Sequence, residues 1–129
     1  MQSIEVKRHE TLALSYLETG DRKSADKTLF FLHGFPDDAH VWNEQLHYLS
    51  KSYHCLAPFL PGTEESEKVQ KKRLNLKHLV PLYLQFLHEK GKKNVVLIGH
   101  DMGGPLAGAL YDEKEENLQL VLVNSLLLD

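Results

Sequence analysis

The sequence predicts an α/β fold, a mostly parallel sheet with flanking helices, and three observations carry that expectation. Thr28 to Leu32 is a continuous apolar run, the pattern of a strand buried on both faces of a parallel sheet. Val95 to Ile98 is a second short run, closed by Gly99 and followed after Pro105 by small residues, which reads as strand, sharp turn and helix. Around these lie stretches whose apolar residues recur at helical spacing. At 129 residues the chain reads as one domain, long enough to bury about two thirds of its unfolded surface.

In chain order, Ile4 to Lys7 and Leu12 to Leu17 read as short strands joined by a polar turn, with Gly20 and Asp21 ending the second: a hairpin. Arg22 to Lys27 is a charged loop. The strand from Thr28 ends in His33, Gly34, Phe35 and Pro36. Asp37 and Asp38 supply caps for a helix over Val41 to Tyr53. There Trp42, Leu46, Leu49 and Tyr53 form one stripe, so Trp42 is expected in the core. His54 to Leu60 is the next strand, stopped by Pro61 and Gly62. Thr63 to Arg73 is charged with mixed sign, the composition of a solvated linker. Leu76, Leu79, Val80, Tyr83, Leu84 and Leu87 make a helical stripe ended by Gly91 and its neighbouring lysines. Pro81 cannot donate to the carbonyl four residues back, so this helix is expected to start or kink there. Leu118 to Val123 is the sixth strand.

Composition narrows the partners. Lysine and arginine number 15 against 18 acids, a net charge of −3 that gives no electrostatic footing for nucleic acid or an anionic membrane. Cys55 is alone, so no intrachain disulfide forms. The first ten residues carry no apolar leader core and no stretch is long enough to span a bilayer, which gives a cytoplasmic expectation. His40 and His47 are seven apart rather than three or four, and no HExxH is present; no metal and no cofactor are expected.

One turn concentrates the chemistry. In VVLIGHDMGGP, Gly99 and Gly103 stand two before and two after Asp101, between strand and helix. Glycines at those positions remove clashes around a strained turn that lifts the central side chain above the sheet. A helix cap would account for Asp101 and Pro105 but not for the flanking glycines. A dinucleotide loop would need glycine where Asp101 stands, and its carboxylate would repel a pyrophosphate.

The segment resembles the nucleophile elbow of α/β-hydrolases, in the aspartate branch that includes epoxide hydrolases and haloalkane dehalogenases, whose elbow reads G-H-D-x-G. The resemblance implies that Asp101 is the catalytic nucleophile and forms an alkyl-enzyme ester. The chemistry suits it, because a carboxylate is ionised at neutral pH and, unlike serine, needs no base to attack carbon. HGFP, about 67 residues earlier, is similar to the HGxP loop of the same branch. That implies backbone oxyanion donors at Phe35 and Met102, two pre-aimed N–H groups for the charge that ester hydrolysis creates. The implied partner is a small, apolar, electrophilic molecule.

Departures from the family pattern set further expectations. Phe59 stands where the family has the aspartate of D-x-x-G-x-G. Met102 follows the nucleophile where haloalkane dehalogenases carry tryptophan and fluoroacetate dehalogenases arginine, which favours an epoxide-hydrolase-like parent over a dehalogenase-like one. The resemblance covers nearly the whole chain but only the N-terminal half of the family's fold, truncated after the sixth strand. The charge-relay acid, the histidine base and the lid are therefore expected to be absent, and neither His33 nor His100 is placed to replace the base. Ser125 and its neighbours stand where some dehalogenases carry the acid. An inert fragment or remnant acting as a binding module is the alternative from another class. Leu120 to Val123 and Leu126 to Leu128 leave an apolar sheet edge expected to self-associate.

Overall fold

A computed structural model describes residues 3–34, 37–61, 76–113 and 117–125. Strands β1 (Lys7–His9), β2 (Leu14–Thr19), β3 (Thr28–Leu32), β4 (His54–Pro58), β5 (Val95–His100) and β6 (Leu118–Val123) form one sheet. Its order is β1-β2-β4-β3-β5-β6. β1 and β2 are antiparallel, as are β2 and β4, while β3 is parallel to both β4 and β5 and β5 is parallel to β6. The helices are α1 (Asn43–Leu49), α2 (Leu76–Lys90) and α3 (Gly103–Tyr111). This is the expected mostly parallel α/β sheet.

The alternation of β3 explains its unbroken apolar run. Phe30 and Leu32 join a core with Leu97, Tyr83, Phe86, Leu106 and Leu110, under α2 and α3. Leu29 and Phe31 join a second core on the opposite face with Ala39, Trp42, Leu46 and Cys55. A strand packed on both faces has no polar side to show. Trp42 is a core residue, its ring 5.0 Å from that of Phe31.

Three elements depart from the sequence expectation. The hairpin pairs further along the chain, because Ala13 takes φ +54 and closes its turn on the Glu10 carbonyl at 3.2 Å. Pairing then begins at His9 and Leu14. The helix expected to run to Tyr53 is a 3-10 turn at Ala39–Trp42 leading into α1, which ends at Leu49. There the Ser50 hydroxyl donates to the His47 carbonyl and the Ser52 and Tyr53 N–H groups both turn back to Leu49. α2, described from Leu76, continues through Pro81 instead of starting there; Pro81 is exposed, and so is Lys77, whose carbonyl is left without its donor. The charged segment over 63–73 and the terminal Leu126 to Leu128 lie outside the described residues. Among those that are described, no helix is long and apolar enough to cross a membrane.

A polar chain ties the sheet together at the N-terminal end of its parallel strands. The Lys92 N–H donates to Thr28 Oγ1 at 2.8 Å, and Thr28 Oγ1 lies 2.8 Å from His54 Nδ1. His54 Nε2 in turn lies 2.6 Å from Glu18 Oε2, and Lys7 Nζ donates to Glu18 Oε1 at 2.9 Å. His54 and Thr28 are wholly buried. The bond from His54, reinforced by Lys7, holds the Glu18 carboxyl at about 2 against an ordinary 4.5, even though partial burial pushes the other way. A depressed carboxyl contributes stability above its unfolded value and loses it as pH falls from about 4.5 toward about 2. Glu18→Gln should therefore cost on the order of 1–2 kcal/mol at pH 7, allowing for solvent screening of a partly exposed side chain. Thermal unfolding of both proteins at pH 7 and pH 2.5 checks this: the gap should shrink at the lower pH, and a gap that stays constant would contradict the linkage.

Candidate active site

The turn between β5 and α3 carries the strain that the flanking glycines suggested. Asp101 has φ +52, a left-handed conformation that costs residues with a β-carbon but that aspartate and asparagine tolerate better than most. The turn is fixed from several sides. The Gly104 N–H donates to the Asp101 carbonyl at 3.0 Å, and the Ser125 hydroxyl, just past β6, makes a short hydrogen bond to the same oxygen. A β-carbon on Gly99 would meet the Gly103 carbonyl oxygen at 2.8 Å, and one on Gly103 would collide with the Leu32 and His33 carbonyl oxygens. These glycines let α3 begin directly against the ends of β3 and β5.

The side chain of Asp101 is exposed at the carboxyl ends of the parallel strands, where ligand sites of open α/β sheets lie. It rests against Gly34: a β-carbon built there would stand 2.6 Å from Asp101 Cβ and 2.8 Å from Oδ2. The HG pair after β3 and the GHD turn after β5 are thus in contact, as their adjacent parallel strands require. Met102 is also exposed, at 58 %, and precedes the first residue of α3. The N–H groups at a helix start have no partner within the helix. Phe35, the other expected donor, lies outside the described residues together with Pro36.

The histidines at this end have structural surroundings. His33 is 1 % exposed; its Nδ1 lies 2.8 Å from the Gly34 carbonyl and its Nε2 accepts from the Leu60 N–H at 2.9 Å. That pattern needs a neutral ring with the proton on Nδ1. Burial, opposed by the bond to Gly34 and by Asp38 and Asp37, lowers its pKa below the usual imidazole value. Its neutral form contributes stability above pH about 6.5, which is lost as pH falls toward the lower folded value. Long-range proton–nitrogen spectra at pH 7 should show His33 as the Nδ1-protonated tautomer, and an Nε2-protonated ring would contradict the assignment. His100 stands edge-on to Trp42 with ring centroids 6.1 Å apart, its Nδ1 buried without a partner among the described residues.

Phe59, in the position where the family has an aspartate, is buried; its N–H donates to the Ser15 carbonyl and its own carbonyl accepts from the Tyr83 hydroxyl at 2.7 Å. Burial pushes the Cys55 thiol up to about 11, which makes it a poor nucleophile. Among the described residues no three His, Cys, Asp or Glu side chains gather where a metal could bind. Sequence reasoning missed the brace from Ser125 and the link from His33 to the strand-four loop, since neither bond has a local sequence signal.

A six-stranded sheet of this order, with a strained strand-to-helix turn at the carboxyl end of its fifth strand, defines an α/β-hydrolase scaffold. Residues 27–128 match the alpha/beta hydrolase fold family, and the chain belongs to it. It is 33% identical over 107 residues to a haloalkane dehalogenase of Bradyrhizobium diazoefficiens, a match covering 81% of this chain and 33% of that protein. It is 32% identical over 115 residues to epoxide hydrolase 4 of Mus musculus, covering 88% and 32%. The structure of a Vigna radiata epoxide hydrolase mutant superimposes with a TM-score of 0.85 at 26% identity, covering 99% of this chain and 41% of that one. The chain thus spans about a third of the length of these curated relatives.

Proposed function

We propose that this chain carries the nucleophile half of an epoxide-hydrolase-type active site, with Asp101 as the nucleophile. The observation that supports this most is the left-handed backbone of Asp101 between Gly99 and Gly103, which exposes a carboxylate beside Gly34. A plain helix cap needs no such strain. In the proposed step a carboxylate oxygen of Asp101 attacks a ring carbon of the epoxide, and the carbon–oxygen bond of the ring breaks. The electron pair leaves on the alkoxide oxygen, which takes a proton from water, and the product is an alkyl ester on Asp101. Backbone N–H groups at Met102 and Phe35 are the proposed donors to the oxyanion of the later hydrolysis.

Hydrolysis of that ester needs a general base, an effect of typically 10²- to 10⁴-fold. Both nitrogens of His33 are engaged in the fold, and His100 is packed against Trp42. The chain by itself is therefore read as capable of alkylation without turnover. Incubation with a reactive terminal epoxide, followed by intact-mass spectrometry, should give at most one adduct per chain with no continuing diol release. Steady release of diol would overturn the reading. A dehalogenase-type variant of the reaction has the Bradyrhizobium relative in its favour, but the Met102 side chain has no N–H to hold a departing halide. The single cysteine, with no partner for a disulfide within the chain, supports a place inside the cell.

Self-association belongs to the same proposal. β6 ends the sheet among the described residues, carries no charge in LQLVLV, and leaves Val121 and Val123 46% and 42% exposed. An uncharged edge without proline is a template for pairing with a second copy. Sedimentation should show dimers or larger species that Val121→Lys reduces; a monomer at all concentrations would contradict this.

A further inference from the structure

We propose that the cleft between the C-terminal end of α2 and the first residues of β5 and β6 binds a small amphiphilic anion, an anionic head on an alkyl body. The inference is independent of the role of Asp101. The cleft encloses about 520 Å³, inside the range of roughly 300–1,000 Å³ usual for small-molecule sites. It opens at the N-terminal end of β5, whereas Asp101 follows the C-terminal end of that strand, roughly 20 Å away at about 3.3 Å per residue.

Leu84 and Leu87 of α2 and Leu118 of β6 give the cleft an apolar wall, and Arg22, Lys92 and Lys93 stand around it. Among the described residues none that lines it is acidic, although the chain as a whole carries a net charge of −3. Arg22 is held in place: its Nε donates to the Lys90 carbonyl and its Nη2 to the Gly91 carbonyl, both at 3.0 Å. Lys92 Nζ donates to the Arg22 carbonyl at 2.7 Å. These bonds satisfy carbonyls and neutralise no charge. Asp21, whose field reaches Lys92, is itself bonded to the Lys23 N–H and the Ser24 hydroxyl.

The plain reading of Arg22 is a cap for the C-terminus of α2, where a cation suits the helix dipole. Capping uses two of the five guanidinium N–H groups and leaves the others. Lys92 and Lys93 suit the same helix end, but that role does not call for the apolar wall of Leu84, Leu87 and Leu118 that they share with Arg22. Oriented guanidinium and ammonium groups match carboxylate or phosphate oxygens, and leucine side chains match an alkyl chain.

Titration of the whole nitrogen-labelled chain with octanoate, followed by NMR at low salt, tests the site. Saturable shifts should centre on the amides of Lys92, Lys93, Asn117 and Leu118. Lys93→Glu, a change at an exposed position, should weaken binding about fivefold or more, as should raising salt to about 0.3 M. Asp101→Asn should bind octanoate as the parent does, which separates this site from the proposed alkylation chemistry. Octyl phosphate should shift the same amides, and octanol should bind at least about tenfold more weakly. Absence of saturation, shifts centred elsewhere, equal binding of octanol, or unchanged binding by Lys93→Glu would each overturn the proposal.

Discussion

Asp101→Asn is expected to remove covalent capture of an epoxide or alkyl halide, slowing it by about 10²-fold or more while the chain keeps its fold. Asparagine is nearly the same size and, like aspartate, tolerates the left-handed backbone at φ +52. What changes is the attacking atom, because an amide oxygen carries no full negative charge. Adduct formation followed by intact mass over hours measures the ratio, with circular dichroism reporting the fold. Equal rates in the two proteins would mean that another carboxylate reacts.

The second large effect is structural. Gly103→Ala should destabilise the chain by about 3 kcal/mol or more, because the added methyl group collides with the Leu32 carbonyl and stands 2.6 Å from that of His33. The obstacle is backbone of the central strand on one side and the start of α3 on the other, so no flexible side chain can yield. Urea denaturation reads the change; a loss below about 1 kcal/mol would show that α3 can shift away from β3 at little cost.

The fold was legible wherever local pattern and tertiary environment agree. Thr28 to Leu32 and Leu118 to Val123 form strands with the expected bounds, since turn residues or charged segments flank each run. Elements slipped where a single backbone choice decided. Ala13 takes a left-handed φ that nothing in its residue type announces, and this moved the hairpin. Pro81 lies inside α2 instead of starting it, because one carbonyl without its donor is a small loss against the packing of Leu79, Tyr83, Phe86 and Leu87.

The candidate site was partly legible for a related reason. The spacing of Gly99, Asp101 and Gly103 encodes its own geometry, so a turn of this kind can be read from three residues alone. What holds the turn cannot. Ser125 is 24 residues from Asp101 and His33 is 27 from Leu60, and such pairs meet only because parallel strands bring their ends together. The gap at Gly34 belongs to the same class: its sequence says glycine, and only the fold says that the space is occupied by Asp101.

The proposed nucleophile, Asp101, should react with carbon ahead of the chain's other carboxylates, because the turn presents it beside Gly34 at the carboxyl ends of the strands. Digestion and fragment mass spectrometry after limited epoxide labelling tests it most directly, by locating the ester residue by residue. The account predicts that the modification falls on Asp101, within the segment from Val95 to Pro105, and is lost in Asp101→Asn. Labels spread evenly over exposed acids such as Asp37, Glu44 and Asp112 would contradict it.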